Sequence, residues 1–109
     1  MTRIGIISDT HNYLDEKVFD YFKDVDMIWH AGDIGTQEVT DKVKAFKPLY
    51  AVHGNIDGHE LRAEFPENQL IDVEGCKIFI THIAGAVGKY NSRVVKIIQE
   101  QKPAILVCG

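Results

Sequence analysis

No apolar stretch in this chain approaches the roughly 20 residues that a membrane span requires, so a membrane protein is not expected. Met1-Thr2-Arg3 leads directly into a strand-like segment with no cleavage site, so no signal peptide is expected either. Thiols are scarce. Cys76 and Cys108 lack CxxC spacing; one stands beside Gly75 at a strand start and the other ends an apolar run, so both read as reduced structural residues. A cytoplasmic location is the expectation that follows. Positive charge is in deficit: 12 Lys and Arg against 16 Asp and Glu leave a formal net charge of −4, which argues against a nucleic-acid backbone as the main partner. Repeats, low-complexity stretches and linkers are absent. GxGxxG and Walker sequences are absent too, so a mononucleotide-binding module lacks support.

What is present is globular material, 45% apolar and 26% charged. A chain of 109 residues reads as one domain, 1–109, able to bury roughly two-thirds of its unfolded surface. Strand and helix signals alternate, which favours an α/β layer architecture. Strands are expected at 4–8, 26–30, 49–52 and 104–107, and a hairpin from 68–73 and 76–81 around Glu74-Gly75. Helical spacing of Val18, Phe19 and Phe22 marks 15–22, and that of Val39, Val43 and Phe46 marks a helix from Thr36 that Pro48 stops. Asn91 caps a last helix, running to about Gln101, whose Val94, Val95, Ile97 and Ile98 are expected to be buried. Trp29 and the phenylalanines read as core.

Four polar clusters punctuate the strand ends: Asp9-Thr10-His11, Gly32-Asp33, Gly54-Asn55 and Thr81-His82. Taken singly, each has a plain reading as a helix cap, a turn or a hydrogen-bonded core histidine. Taken together, they place carboxylates and imidazoles, both good ligands for divalent cations, at strand C-termini. Open α/β sheets bind their ligands in the crevice outside those ends.

The set and order resemble the calcineurin-like metallophosphoesterase superfamily, whose pattern is Asp-x-His, Gly-Asp, Gly-Asn-His-Asp/Glu, His, then Gly-His-x-His. Ser8-Asp9-Thr10-His11, His30-Ala31-Gly32-Asp33, Gly54-Asn55-Ile56-Asp57 and Thr81-His82 look like its small bacterial and archaeal phosphodiesterase branch. The resemblance implies a four-layer αββα sandwich, here C-terminally incomplete, with 1–109 as the N-terminal two-thirds of the family fold. It implies that Asp9 and His11 ligate a first metal, that Asn55 and His82 ligate a second, and that Asp33 bridges the two. Asp33, Asn55 and Asp57 are the catalytic residues it suggests. Two divalent cations would hold a bridging hydroxide for in-line attack on phosphorus. Mixed oxygen and nitrogen ligation suits Mn²⁺ first, with Fe, Zn, Co or Ni as rivals.

Two departures from the pattern stand out. Ile56 occupies the place of the His in Gly-Asn-His-Asp, the usual candidate for protonating the leaving group, which points toward diesters with easier leaving groups. His53 and His59 flank that loop as substitutes, although a strand His and a solvated loop His are the plainer readings. Gly-His-x-His is absent: Cys108-Gly109 matches the residues before it, and each metal would lack one ligand. Lys89, Tyr90 and Arg93, after Gly85-Ala86-Val87-Gly88, are candidates for a substrate pocket against a plainer reading as a surface loop. Arg62 and Glu64 read as a solvated segment. The expected partner is a small phosphate ester, with nucleic acid only as a phosphodiester substrate. An unpaired sheet edge would permit a homo-oligomer. The rival reading is a non-catalytic protein-binding scaffold on the same fold, the route taken by the similar retromer scaffolding subunit of eukaryotes.

Overall fold

The computed structural model describes residues 2–86 and 89–109. Strands β1 (Ile4–Ile7), β2 (Met27–His30) and β3 (Leu49–Ala51) form a parallel sheet in that order. Ile7, His30 and Ala51 lie in register, so the residues after all three strands leave at one edge. A second sheet is built from the antiparallel hairpin β4 (Asn68–Val73) and β5 (Cys76–Thr81). Glu74 and Gly75 both have positive φ (51° and 82°), as a two-residue type I′ turn requires. β6 (Gly85–Ala86) and β7 (Lys89–Tyr90) make a small ribbon, and β8 (Ile105–Cys108) pairs with β5 in parallel, with Thr81 opposite Cys108.

Period-two alternation sends each strand's apolar residues to two different neighbours. Trp29, Ala31 and Val52 from the first sheet meet Ile78, Ile80 and Val107 from the second, forming the core between the sheets. On the outer face of the first sheet, Ala51 packs with Ile34, with Val39 of α2 (Gln37–Phe46), and with Leu61 and Phe65 of α3 (His59–Glu64) and its end. Phe79 points the other way, to Ala84 and Val94 of α4 (Ser92–Gln101). The layers therefore run helix, sheet, sheet, helix, the αββα sandwich expected. Burying a large apolar side chain is worth about 1.5–3 kcal/mol, and Phe79, Ile28, Ile78 and Ile80 are essentially inaccessible.

Local chemistry sets the helix ends. Asn91 accepts the Val94 N–H at 2.9 Å and donates to Ile83 O at 3.1 Å, so it caps α4 and ties it to the end of β5. Thr36 precedes α2 in extended conformation, and Lys47, before Pro48, follows it. The first helix, α1 (Lys17–Tyr21), is shorter than its apolar spacing predicts. Its Phe19 ring meets Phe46 edge-on at 4.9 Å, and Phe22 lies against Gly5.

The Gly-rich stretch contributes part of a ribbon, while Val87 and Gly88 lie outside the described residues. Cys76 and Cys108 are free and exposed. Among the described residues, no helix is long and apolar enough to cross a membrane.

Candidate metal centre

The turn after β1 is stitched to the loop after β2 by backbone hydrogen bonds from Asp9 to Gly32, His11 to Asp33 and Asn12 to Ile34, at 2.9–3.1 Å. Asp9, His11, Asn12 and Asp33 all adopt positive φ, between 48° and 73°. Left-handed backbone costs roughly 1–2 kcal/mol for each such residue. Strain of this kind persists where the surroundings over-determine it, and it concentrates at functional sites.

Buried polar groups hold these loops. His30 Nδ1 accepts the Gly32 N–H at 3.1 Å, so its proton sits on Nε2, which donates to Thr10 Oγ1 at 3.0 Å. The Thr10 hydroxyl in turn donates to Ile34 O at 2.8 Å. Burial, which outweighs the pull of the Asp57, Asp9 and Asp33 carboxylates, drives the His30 pKa from 6.5 down to about 4. His30 is therefore a neutral structural strut at neutral pH.

Asp57 lies beneath the loops. Its buried carboxylate accepts the backbone N–H groups of Ile34, Gly35 and Gly54 at 3.1, 2.9 and 2.8 Å. Both oxygens are thus occupied in joining the second loop to the third. The carboxylate is turned to these backbone groups and lies outside the cluster formed by Asp9, Asp33 and His82.

The other five expected residues converge. One ligand atom each from Asp9, Asp33 and His82 lie within 4.8 Å of one another. Asp33 is central: its Oδ2 is 3.2 Å from His82 Nε2 and 3.6 Å from His11 Nε2, and its Oδ1 accepts the Ile56 N–H at 3.1 Å. Asp9 Oδ1 is 3.6 Å from His11 Nε2, while Asp9 Oδ2 accepts from the Ser8 hydroxyl at 2.6 Å. Burial works to raise the Asp9 pKa, but the Ser8 hydrogen bond and the His82 and His11 imidazoles prevail and hold it below the usual carboxylate value.

Two details test whether these side chains suit a cation. His82 Nδ1 lies 2.7 Å from Ala31 O and must donate to that carbonyl, so Nε2 is the nitrogen presented to the cluster. Metal-bound histidines have the same orientation, with the far N–H anchored on a carbonyl. The Asn55 amide lies 3.1 Å from both Asp33 Oδ1 and His82 Nε2. With its NH₂ turned inward it donates to both; with its oxygen inward the cluster consists of acceptors that a cation would draw together. Two carboxylates, two imidazoles and a reversible amide are a donor set that fits divalent cations. Gly54 is required at its position because a Cβ there would overlap Asp33 Oδ1 and the Asp33 backbone nitrogen.

Beside the cluster opens a cavity of about 250 Å³ lined by Asn55 and His82 and also by His53, Arg62, Glu67 and Arg93. Of the pocket candidates, Arg93 lines it, whereas Lys89 and Tyr90 do not. His53 lines it, and His59 lies at a separate surface pocket near the start of α2. Arg62 is exposed, as a solvated segment requires, but it is tethered: its guanidinium donates to Asp57 O, Gly54 O and Asn55 O. No sequence spacing flags Arg62, because its partners are backbone carbonyls.

Comparison with known proteins agrees with this geometry. The calcineurin-like phosphoesterase superfamily domain matches residues 2–109, and the chain belongs to that family. Over 84 residues it is 36% identical to a probable metallophosphoesterase of Methanothermobacter thermautotrophicus and 38% identical to one of Methanocaldococcus jannaschii. Those matches cover 72% of this chain but 48% and 42% of the relatives, so the chain spans about half the length of the curated relatives it matches.

Among solved structures, a Thermotoga maritima protein superposes with a TM-score of 0.81 and 27% identity, over 100% of this chain and 73% of that one. Vacuolar Protein Sorting 29 of Cryptosporidium parvum gives 0.76 and 18%, over 99% and 64%. An archaeal phosphodiesterase gives 0.71 and 24%, over 96% and 70%. The last two likenesses establish the fold.

Proposed function

We propose that this chain carries the metal centre of a phosphoesterase acting on phosphodiesters, with Asp9, His11 and Asp33 holding one divalent cation and Asp33, Asn55 and His82 a second. Mn²⁺ is the preferred ion. When bound, such ions supply Lewis acidity and a water acidified enough to act as a nucleophile near neutral pH. The observation that carries the proposal is the convergence of four donors, Asp9, His11, Asn55 and His82, from both sheets on Asp33.

The remaining chemistry falls to the chain's own residues. Three donors of this chain would hold each cation. Asp33, shared by the two donor sets, would supply negative charge to offset the mutual repulsion of two cations. The neutral Asn55 amide leaves the site net positive toward an anionic phosphoryl group. His82 is held in one tautomer by Ala31 O. No serine or cysteine nucleophile is implied. Ile56 is 48% exposed and offers no proton to a leaving group, which supports esters whose leaving groups depart unaided. The archaeal phosphodiesterase on the same fold is consistent with that substrate class.

The test is Mn²⁺-dependent hydrolysis of bis(p-nitrophenyl) phosphate, with Asp33→Asn as control. Turnover that vanishes in the variant is the expected result. A chain that binds Mn²⁺ but gives no turnover would favour the scaffold reading.

A further inference from the structure

We propose that Arg62 makes the cavity beside the donor cluster a subsite for a second anionic group, phosphate or carboxylate, on a phosphate-ester substrate; this rests on the phosphoesterase reading above. The cavity is contiguous with that cluster because Asn55 and His82 line both. At about 250 Å³ it approaches the roughly 300 Å³ at which small-molecule pockets begin, and it offers space for a substrate part beyond the scissile phosphoryl group.

Charge decides what that part is. Two arginines and one carboxylate line the cavity. Arg93 is committed: its Nε pairs with Glu67 at 3.1 Å, Nη2 donates to Ile83 O at 2.9 Å, and Nη1 donates to Asn68 and Thr81. Arg62 has no carboxylate partner among the described residues. Nε donates to Asp57 O at 2.6 Å and Nη2 to Gly54 O and Asn55 O at 3.3 Å each. Nη1, with two N–H donors, has no protein partner among the described residues.

The carbonyls fix the guanidinium without neutralising it. Its geometry is set before any ligand arrives, so little side-chain entropy is lost on binding. A fixed, uncompensated guanidinium with a free N–H pair suits an oxyanion. The metal donors already serve the scissile phosphoryl group, so Arg62 serves a second charge on the same molecule.

The experiment compares two monoesters that differ in one group, sn-glycerol 3-phosphate and 3-phosphoglycerate, by calorimetric titration into the Mn²⁺-loaded chain. Wild type should bind 3-phosphoglycerate about tenfold more tightly, the effect of one charge-assisted interaction. Arg62→Met should bring the ratio of the two Kd values close to one, and Arg62→Lys should restore part of it. Equal weakening of both probes by Arg62→Met would overturn the proposal, because Arg62 would then act on the loop or on the shared phosphoryl group. So would glycerol 3-phosphate binding with no gain for 3-phosphoglycerate in wild type, which would leave the phosphoesterase reading intact. Absence of Mn²⁺-dependent binding of either probe would overturn the proposal, while the phosphoesterase reading stands or falls separately on bis(p-nitrophenyl) phosphate hydrolysis. Should Arg62→Met fail to fold, the salt dependence of the wild-type preference decides: it must shrink as ionic strength rises, and a salt-independent preference overturns the proposal.

Discussion

Asp57→Asn separates a positioning role from a catalytic one. The wild-type carboxylate is 3% exposed and accepts three backbone N–H groups from two loops. Hydrogen bonds to a charged group contribute about 1.5–3 kcal/mol each. Asparagine keeps one oxygen, best placed where Oδ2 now serves Ile34 and Gly54, and its NH₂ then confronts the Gly35 N–H. One charge-assisted bond is lost, two are weakened to ordinary strength, and a buried donor is left without an acceptor. The expected cost is about 3–5 kcal/mol, a large part of the about 5–15 kcal/mol that a domain has. Urea unfolding measures it directly. Mn²⁺ affinity of the folded variant should also fall, about tenfold, because the loops carrying Asp33 and Asn55 are no longer tied together. Stability within about 0.5 kcal/mol of wild type would refute the positioning argument. Turnover lost with stability unchanged would make Asp57 a reacting group instead.

Two other perturbations probe the same scaffold. His30 takes up its proton near 6.5 when unfolded but near 4 when buried, so the unfolded state binds more protons between those values. Stability is fully present above pH 6.5 and is lost as pH falls toward 4, by about 3 kcal/mol. Urea midpoints at pH 7 and 4.5 should show this loss in wild type and a shallower one in His30→Gln; equal slopes would discard the account. Gly54→Ala drives a methyl group into Asp33 Oδ1 and the Asp33 backbone, and should weaken Mn²⁺ binding more than 100-fold by calorimetry. Near-normal affinity would mean that the Asp33 carboxylate can move without consequence.

Which features the sequence revealed depended on whether they were local. Asp9, His11, Asp33 and Asn55 follow the ends of β1, β2 and β3, which parallel pairing brings to one edge, so their nearness was legible from motif and topology; His82 follows β5 of the second sheet and reaches them through the packing of sheet on sheet. The hairpin bounds and the Asn91 cap were legible because two-residue turns and N-caps are written in adjacent residues. The hydrogen bonds of Asp57 were not legible because they come from backbone N–H groups of Ile34 and Gly35, 23 and 22 positions away. Helix α3 was missed because six residues with one buried side chain, Leu61, carry no measurable period. The neutral His30 strut and the Arg62 clamp depend on burial and on carbonyls from a folded loop, which no pattern of residue types encodes.

The most direct test of the central claim is calorimetric titration of Mn²⁺ into the wild-type chain, with Asp33→Asn and His82→Gln alongside, their folds checked by circular dichroism. The account predicts saturation at two ions per chain and a loss of at least 100-fold in affinity in each variant. Wild-type affinity retained in a folded Asp33→Asn would contradict it.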